Sequence, residues 1–188
     1  MSVAAVVLAA GASTRLGQPK QNVRLGGESL LERTVRIAHL AALEPIFVVV
    51  GAGQTHSLNP HAIILVNESA AEGMASSVRT GIAAAIAAQV DGAVILACDQ
   101  PAVTEAHLRE LADSRDEVVA SAYAGRKGVP AYFPRSAFTE LMELRGDSGA
   151  RDLLREARAI LLSNGELDID TAEDLKRARE VYAADPPL

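Results

Sequence analysis

Two cationic side chains lie in a short loop of small residues that follows the first apolar run of the chain. The run, residues 3–9, is rich in valine and alanine and lacks polar alternation, which is typical of a strand buried on both faces of a parallel sheet. The loop contains Gly11 and Gly17 together with Arg15 and Lys20. Glycine lets backbone N–H groups approach an anion, and the two cations supply opposing charge. The loop therefore favours a polyphosphate site, with a glycine-rich turn bearing two solvated cations as the alternative.

The spacing of these residues excludes two familiar phosphate-binding motifs. Gly11, Gly17 and Lys20 do not fit G-x-x-x-x-G-K-[ST], so the loop is not a Walker loop. Gly51 and Gly53, later in the chain, lack the third glycine and the acidic partner of a dinucleotide-binding motif.

Asp99 stands just after a second apolar run, residues 93–97, and Pro101 prevents that strand from continuing. The carboxyl ends of parallel strands share one edge of a sheet, so the Asp99 carboxylate is expected in the crevice that holds Arg15 and Lys20. Mg²⁺ binds one or two carboxylates together with substrate phosphates. Asp99 is therefore a candidate magnesium ligand, and a turn or helix-capping aspartate is the alternative.

Small and hydroxyl-bearing residues at the start of a predicted helix form a third group. Asn67 ends a short apolar run, and the segment that follows contains Gly73, Ser77 and Gly81. Residues of this size let a planar base lie against the backbone. The alternative is an ordinary helix start in which Gly81 permits close packing.

The stretch L-A-A-G-A-S-T-R-L-G-Q-P-K, residues 8–20, resembles the signature L-A-A-G-x-S-x-R-x-G-x-x-K of the nucleotidylyltransferases, specifically the branch that matures the molybdenum cofactor. Every fixed position of the signature is matched, and further matches recur across nearly the whole chain. The resemblance implies catalytic roles for Arg15, Lys20 and Asp99. It implies a nucleotide site made of Leu8, Ala9, Ala10, Gly11, Ser13, Arg15, Lys20, Asn67, Gly73, Ser77 and Asp99.

The resemblance also implies the metal ligands. The tetrapeptide Cys-Asp-Gln-Pro at 98–101 is similar to the one in which relatives hold magnesium, and the Asp-Thr at 170–171 is similar to a pair that relatives place on the metal. We therefore expect Mg²⁺ on Asp99 and Asp170, with Asp168 as a neighbour or a bystander. The alternative for both later aspartates is that they complement the dipole of the following helix. A further family-like segment, 146–151, is expected near the acceptor, where Arg151 pairs with a phosphate or is simply solvated.

Composition and charge limit the classes of function. A chain of 188 residues fits one domain, 1–188, with a frayed tail at 184–188. A net charge of −6 and a pI near 5.2 argue against a nucleic-acid partner. No apolar run is long enough to span a membrane and no secretory segment is recognised, so we expect a cytoplasmic protein without a membrane partner. The single cysteine, Cys98, excludes an internal disulfide and a cysteine-built metal site.

Strands and helices alternate at short spacing along most of the chain. This pattern predicts a three-layer α/β/α fold with a mostly parallel, doubly wound, Rossmann-like sheet, and the resemblance makes it the nucleotide-diphospho-sugar transferase type. The segment 128–134 carries two prolines, which favour an edge or antiparallel strand over a central one, and we expect the sheet to have an antiparallel edge. The predicted strands are 3–9, 46–50, 63–66, 93–97, 118–123 and 160–162, and the predicted helices are 30–43, 73–88, 105–113, 136–144, 148–157 and 172–183.

The resemblance implies transfer of a nucleotidyl group from CTP or GTP to molybdopterin, with a molybdoenzyme or its chaperone as a further partner. Relatives that transfer cytidylyl carry Ala-Ala-Gly at the end of the first strand, as residues 9–11 do here, so CTP is expected over GTP. Three alternatives stay open: guanylyl transfer to the same cofactor, cytidylyl transfer to a sugar or polyol phosphate, and a non-catalytic nucleotide-binding chaperone for a molybdoenzyme.

Overall fold

The computed structural model describes residues 1–11, 16–53, 60–147 and 150–182. Ser13, Arg15 and the tail 184–188 lie outside these ranges. The strands are β1 (Val3–Leu8), β2 (Arg24–Leu25), β3 (Glu28–Ser29), β4 (Ile46–Gly51), β5 (Ala62–Asn67), β6 (Gly92–Ala97), β7 (Val119–Tyr123), β8 (Arg126–Pro134) and β9 (Arg158–Leu161). The helices are α1 (Leu30–Leu40), α2 (Met74–Ala87), α3 (Glu105–Ala112), α4 (Phe138–Glu143), α5 (Arg151–Arg155) and α6 (Ala172–Tyr182). None of the described helices has both the length and the apolar character needed to cross a membrane.

Seven strands form one mixed sheet in the order β5-β4-β1-β6-β8-β7-β9, and β2 pairs with β3 in a separate hairpin. The apolar run that begins the chain becomes β1, which lies inside the sheet and pairs in parallel with both β4 and β6. The predicted α/β class and mostly parallel sheet are confirmed. The carboxyl ends of β1, β4 and β6 consequently lie at one edge of the sheet.

The antiparallel strand was expected at the edge of the sheet, and this position is wrong. Strand β8 lies between β6 and β7 and is antiparallel to both, while the edges are β5 and β9. The prolines fit an interior strand because of where they fall. Pro130 lies where the pairing with β7 shifts register after Ala120, and Pro134 is the last residue of the strand. At a bulge or a strand end, the missing N–H of proline interrupts no regular ladder.

Helices cover both faces of the sheet because successive side chains of each buried strand point to opposite sides. On one face of the sheet, helix α1 packs on β1 and β4, and helix α3 packs on β6 and β8. The buried side chains of this face include Ala5, Val7, Leu31, Val35, Ala38, Leu108 and Leu111. On the other face pack α2, α4 and α5; this core includes Ala4, Val6, Val78, Ile82, Ala85, Phe138, Leu141 and Leu154. The architecture is therefore the predicted three-layer α/β/α arrangement.

Local sequence signals fix the starts of two helices on the first face. Ser29 caps α1 with a reciprocal capping box, in which its hydroxyl accepts from the Glu32 N–H and the Glu32 carboxylate accepts from the Ser29 N–H. Thr104 caps α3, and its hydroxyl accepts from the His107 N–H at 3.2 Å. Both predicted helix starts are confirmed.

The end of the chain packs back onto the small hairpin. Helix α6 and the segment before it share a third apolar cluster with β2 and the start of α1; its buried members are Val23, Leu25, Leu30, Leu167, Ile169, Leu175 and Ala178. The backbone N–H of Ile169 donates to the carbonyl of Asp99 at 2.9 Å. This bond joins the segment before α6 to the residues that follow β6.

Helix α2 approaches β1 unusually closely through Gly81. A Cβ atom added to this glycine would lie 2.2 Å from Cγ1 of Val6, on a strand that is fully buried at that point. The close-packing role proposed for Gly81 is thus what the structure shows. The absence of a side chain at Gly81 sets the distance between α2 and the sheet, and therefore the position of the first turn of α2.

We expect Gly81→Ala to lower the free energy of unfolding by up to about 2 kcal/mol, since overpacking a core costs about 1–3 kcal/mol and alanine regains about 1 kcal/mol of helix propensity. Urea denaturation measures the change. Val6→Ala removes the methyl group that the new Cβ would meet, so its effect should be smaller in the Gly81→Ala background than in the wild type. Strictly additive effects of the two substitutions would show that the Gly81–Val6 contact does not set the packing.

Candidate active site

A cleft of about 610 Å³ opens where the carboxyl ends of β1 and β6 face the start of α2. This is within the usual size of small-molecule sites, roughly 300–1,000 Å³. The cleft brings together most of the residues predicted for the nucleotide and the metal, namely Leu8, Ala9, Ala10, Gly11, Lys20, Gly73, Ser77, Asp99 and Asp170. Two more predicted residues, Ser13 and Arg15, lie outside the described residues.

Three charged side chains meet at one end of this cleft. Lys20 Nζ donates to Asp99 Oδ2 at 2.9 Å and also contacts Asp170 Oδ1. A single 3₁₀ turn beginning at Lys20 carries the lysine, the end of β6 delivers Asp99, and the turn before α6 delivers Asp170. The exposed fractions of these side chains are 20%, 19% and 27%, so all three are partly buried. The predicted phosphate cation and the two predicted metal ligands thus share one location.

The two carboxylates favour the charged form of Lys20. Burial by itself lowers the pKa of Lys20, but the nearby carboxylates of Asp99 and Asp170 more than compensate, and the net effect is a raised pKa. Lys20 is therefore a cation at neutral pH. The cluster carries a net charge of −1, counting two carboxylates and one ammonium.

Asp168 lies beside the cluster but not in the lining of the cleft. Its Oδ2 lies 3.5 Å from the guanidinium of Arg126, and its Oδ1 is buried without a hydrogen-bond partner in the described part of the chain. Burial, with a contribution from the Asp99 charge, raises the pKa of Asp168 to about 6. A carboxylate that pairs with an arginine in this way is a neighbour of the charged cluster rather than a member.

Another part of the cleft lining comes from small residues at the start of α2. Gly73 has φ 105° and ψ 179°, a conformation that is essentially restricted to glycine. An added Cβ would lie 2.3 Å from Asp147 Oδ1 and 2.7 Å from the backbone of Gly146. The Gly146 carbonyl accepts from the Ala75 N–H at 3.0 Å. The 146–147 turn is therefore packed directly on the first turn of α2.

Asp147 is a cleft residue that sequence reasoning placed on the acceptor side. It lines the same cleft as Gly73 and Ser77. Its position depends on the contact between the 146–147 turn and α2, for which the sequence contains no local signal. Arg151, from the same family-like segment, is exposed and does not line the cleft.

Asn67 does not line the cleft, and its role is one of support. The side chain is buried, and its Nδ2 donates to the hydroxyls of Ser76 at 2.8 Å and Ser77 at 3.0 Å. Its Oδ1 accepts from the Ser69 N–H at 3.0 Å. Asn67 thus orients Ser77, which does line the cleft.

Gln21 lines the cleft, and the sequence analysis did not predict it. It follows Lys20 in the 3₁₀ turn, lines the cleft, and is 1% exposed. Its Nε2 has no hydrogen-bond partner within the described ranges. A buried donor of this kind costs free energy unless it is satisfied, so an acceptor atom on a ligand would stabilise it.

Residues 5–160 match the family profile of the MobA-like NTP transferase domain. The chain belongs to the MobA-like NTP transferase family. Its sequence is 34% identical to the purine catabolism protein PucB of Bacillus subtilis (strain 168) over 197 residues, which cover 95% of this chain and 96% of PucB. It is also 34% identical, over 110 residues, to a protein of Opitutus terrae named "Probable molybdenum cofactor guanylyltransferase", covering 58% of this chain and 54% of that protein.

A crystal structure of Rv0371c from Mycobacterium tuberculosis H37Rv is similar over 96% of this chain and 98% of that one, with 30% identity and a TM-score of 0.80. A structure of Rv0371c in complex with manganese has a TM-score of 0.71 at 26% identity, again over 96% and 98% of the two chains. As a member of the MobA-like family the chain is a nucleotidyltransferase, with an NTP as its substrate.

The charged end of this MobA-like cleft has the donors that a divalent metal requires. Asp99 and Asp170 approach the same point, and carboxylate oxygens are the ligands that Mg²⁺ and Mn²⁺ prefer. No group of three or more His, Cys, Asp or Glu able to hold a metal occurs among the residues the structure describes. A two-carboxylate site fits Mg²⁺, which commonly completes its coordination with substrate phosphates and water.

Cys98 lines the cleft next to Asp99, yet its chemistry is that of a core residue. Its side chain is buried, and burial together with the Asp99 charge raises the pKa of the thiol to about 12. The thiolate, not the thiol, is the nucleophile. Cys98 therefore remains a thiol at neutral pH.

We expect Gly73→Ala to weaken nucleoside triphosphate binding, tested with CTP, at least tenfold, because the new methyl group would displace either the 146–147 turn or the first turn of α2. The glycine-only conformation adds a stability cost of about 1–3 kcal/mol. Isothermal titration with CTP and urea denaturation measure the two effects. Gly27→Ala is the matched control, since Gly27 has φ 93° with no atom within 4 Å of an added Cβ. Gly27→Ala should lose stability and keep CTP affinity; equal CTP affinity for Gly73→Ala and wild type would exclude this contact from the nucleotide site.

Proposed function

We propose that this MobA-like protein transfers CMP from CTP to a phosphorylated acceptor of the molybdopterin type, with Mg²⁺ as the metal and pyrophosphate as the second product. The observation that carries the proposal is the meeting of Lys20, Asp99 and Asp170 at one end of a cleft whose other end is lined by small residues. One end suits a triphosphate and its metal, and the other suits a base.

The transfer that we propose needs little acid–base chemistry. An acceptor phosphate oxygen attacks the α-phosphorus of CTP in line; a new phosphorus–oxygen bond forms, the bond to the β-phosphate oxygen breaks, and pyrophosphate leaves with that electron pair. A phosphate nucleophile is already ionised at neutral pH, so catalysis depends on positioning and on neutralising charge. Lys20 is placed to neutralise charge on the α-phosphate and the leaving pyrophosphate. We assign Arg15, which lies outside the described residues, the same kind of role.

Asp99 and Asp170 would hold the magnesium ion in this proposal. When bound, the ion supplies charge neutralisation and orientation for the α-phosphate. The Ile169–Asp99 backbone bond supports this assignment, because it fixes the segment that carries Asp170 against the end of β6.

The base of the nucleotide would lie between the end of β1 and the start of α2. Ala9, Ala10 and Gly11 line one wall, and Gly73 and Ser77 line the other. Small side chains leave room for a flat ring and expose backbone groups to it. Asn67 supports this end of the cleft by fixing the Ser77 hydroxyl.

The acceptor is inferred from relatives rather than from the cleft. The Opitutus relative is named for the molybdenum cofactor, and the Bacillus relative, matched over nearly its whole length, is named for purine catabolism. We infer that an enzyme of purine breakdown that uses the molybdenum cofactor, or a chaperone of that enzyme, receives the product.

A second candidate is guanylyl transfer to the same acceptor, because the Opitutus relative is named a guanylyltransferase. Cytidylyl transfer to a sugar or polyol phosphate would use the same donor site, and a panel of acceptors in a pyrophosphate-release assay separates it. A non-catalytic chaperone would bind the nucleotide without releasing pyrophosphate.

We further propose that residues 1–188 act as one nucleotidyltransferase domain. The family profile ends at residue 160, but Asp170 lies beyond it and contacts Lys20 at the start of the chain. The segment after residue 160 therefore contributes to the same cleft.

Asp99→Asn should reduce pyrophosphate release at least about 100-fold, since losing a group that stabilises transition-state charge usually costs that much. The assay contains CTP, Mg²⁺ and purified molybdopterin. Asp91→Asn is the control, because Asp91 precedes the other end of β6 and accepts from the Ser2 N–H at 2.7 Å. More than about a tenth of wild-type activity in a folded Asp99→Asn variant would remove Asp99 from the metal site.

The wild-type enzyme should use CTP with a higher kcat/KM than GTP, because the Ala10 methyl group narrows the wall against a two-ring base. Discrimination by one methyl group is worth only about 1–3 kcal/mol, or roughly 10–200-fold. Ala10→Gly should therefore relax the preference and leave CTP activity in place. A wild-type kcat/KM for GTP equal to that for CTP would overturn the base assignment and leave nucleotidyl transfer intact.

A further inference from the structure

The ammonium of Lys20 lies where the two carboxylates of the charged cluster converge. It contacts Asp99 Oδ2 at 2.9 Å and Asp170 Oδ1. A carboxylate oxygen that accepts a hydrogen bond from an ammonium uses a lone pair that would otherwise coordinate a metal ion. An ammonium and a divalent cation also repel one another strongly at such short range. Lys20 and a metal bound directly by both aspartates therefore compete for one location.

We propose that Lys20 blocks the metal site in the nucleotide-free protein, and that the triphosphate of an incoming NTP opens the site by drawing the lysine ammonium away from Asp99 and Asp170. This inference rests on the proposed function, in which these two aspartates hold the metal. It makes Lys20 a residue that positions the carboxylates before the nucleotide arrives and contacts phosphate afterwards.

The surroundings of Lys20 allow this movement without a change in the backbone. The Lys20 carbonyl accepts from the Val23 N–H at 3.0 Å, and the Pro19 carbonyl accepts from the Asn22 N–H at 3.1 Å, so the turn is anchored. Lysine ends in a compact charge on a flexible four-carbon stem. The side chain lines the cleft together with Gly11, where a triphosphate can approach it. Only side-chain torsions must change.

The net charge of the cluster indicates whether nucleotide binding strengthens or weakens metal binding. With Lys20 between them, the two carboxylates present a net charge of −1, which is a weak attraction for a free divalent cation. A triphosphate brings several negative charges, and lysine is a common phosphate ligand. Once the ammonium pairs with phosphate, both carboxylates and the phosphates face the metal together. Nucleotide and metal therefore bind with positive coupling, and the coupling is reciprocal.

The test is a titration of nucleotide-free protein with Mn²⁺, in which the free ion is measured by its EPR signal at constant ionic strength. Lys20→Met removes the ammonium and keeps the apolar stem. It should bind Mn²⁺ roughly tenfold or more tightly than the wild type, since changes in the groups around a metal site shift its affinity roughly 10- to 100-fold. Lys20→Arg keeps the cation and should behave as the wild type.

Two further variants make the outcome specific. Lys127→Met controls for the loss of one positive charge, because the Lys127 ammonium donates to the carbonyls of Arg155 and Ala157 at 3.0 and 2.7 Å, away from the cleft. Lys20→Met combined with Asp99→Asn tests the metal ligand itself and should lose the gained affinity. If Lys20→Met does not fold, Lys20→Gln, which retains a hydrogen-bond donor for the carboxylates, takes its place.

One pattern of affinities overturns the inference. In that pattern Lys20→Met binds Mn²⁺ no more tightly than the wild type, and the double variant binds Mn²⁺ less tightly than Lys20→Met. That pattern leaves the proposed metal site in place. Equal gains for Lys20→Met and Lys127→Met would also overturn the inference, since they indicate a general charge effect. If the double variant binds Mn²⁺ as tightly as Lys20→Met, Asp99 is not a metal ligand, and it is the proposed metal site that fails.

Discussion

The rest of the site depends on the ion cluster of Lys20, Asp99 and Asp170, in which one ammonium is shared by two carboxylates that lie 79 and 150 residues away in sequence. All three side chains are partly buried, so an unpaired member would lose solvation without compensation. The pairing therefore holds three distant segments at the end of β6. The Ile169–Asp99 backbone bond and the apolar cluster under α6 reinforce the same arrangement. In the nucleotidyl transfer that we propose, catalysis depends on positioning charge, and this cluster is the group of side chains to which we assign that role.

A second constraint shapes the other end of the cleft. Helix α2 is close to β1 because Gly81 has no side chain to separate them, and the first turn of α2 accommodates the 146–147 turn because Gly73 has none either. Asn67 orients the hydroxyls of Ser76 and Ser77, which lie in the first turn of α2. These contacts involve packing and hydrogen bonds rather than charge. The cleft is thus lined by the charged cluster at the end of β6 and, at the start of α2, by small residues together with Asp147.

Much of the fold was predictable because its signals are local. Short β-branched and alanine-rich runs indicated buried parallel strands. The predicted helix starts at residues 30 and 105 are confirmed, and in the structure Ser29 and Thr104 cap them. The prediction of an edge position for β8 was wrong. Two prolines in a strand indicate only that two backbone N–H groups are missing from the hydrogen-bond ladder. They do not reveal that Pro130 falls at a register shift, where an interior strand tolerates it.

By itself the sequence determined the α/β class, the run of elements, and the chemical types of the phosphate cation and the carboxylates, since each follows from residue type and short-range spacing. Only the tertiary structure decided which of these side chains meet. In the structure Asn67 supports Ser76 and Ser77 and does not line the cleft. Asp168 lies beside the charged cluster, and Asp147 and Gln21 line the cleft. The reason is that such contacts join residues far apart in the chain, and they are set by how closely helices pack on the sheet and by where buried charges find partners. A local sequence pattern encodes neither the distance between helices and sheet nor the partners of buried charges.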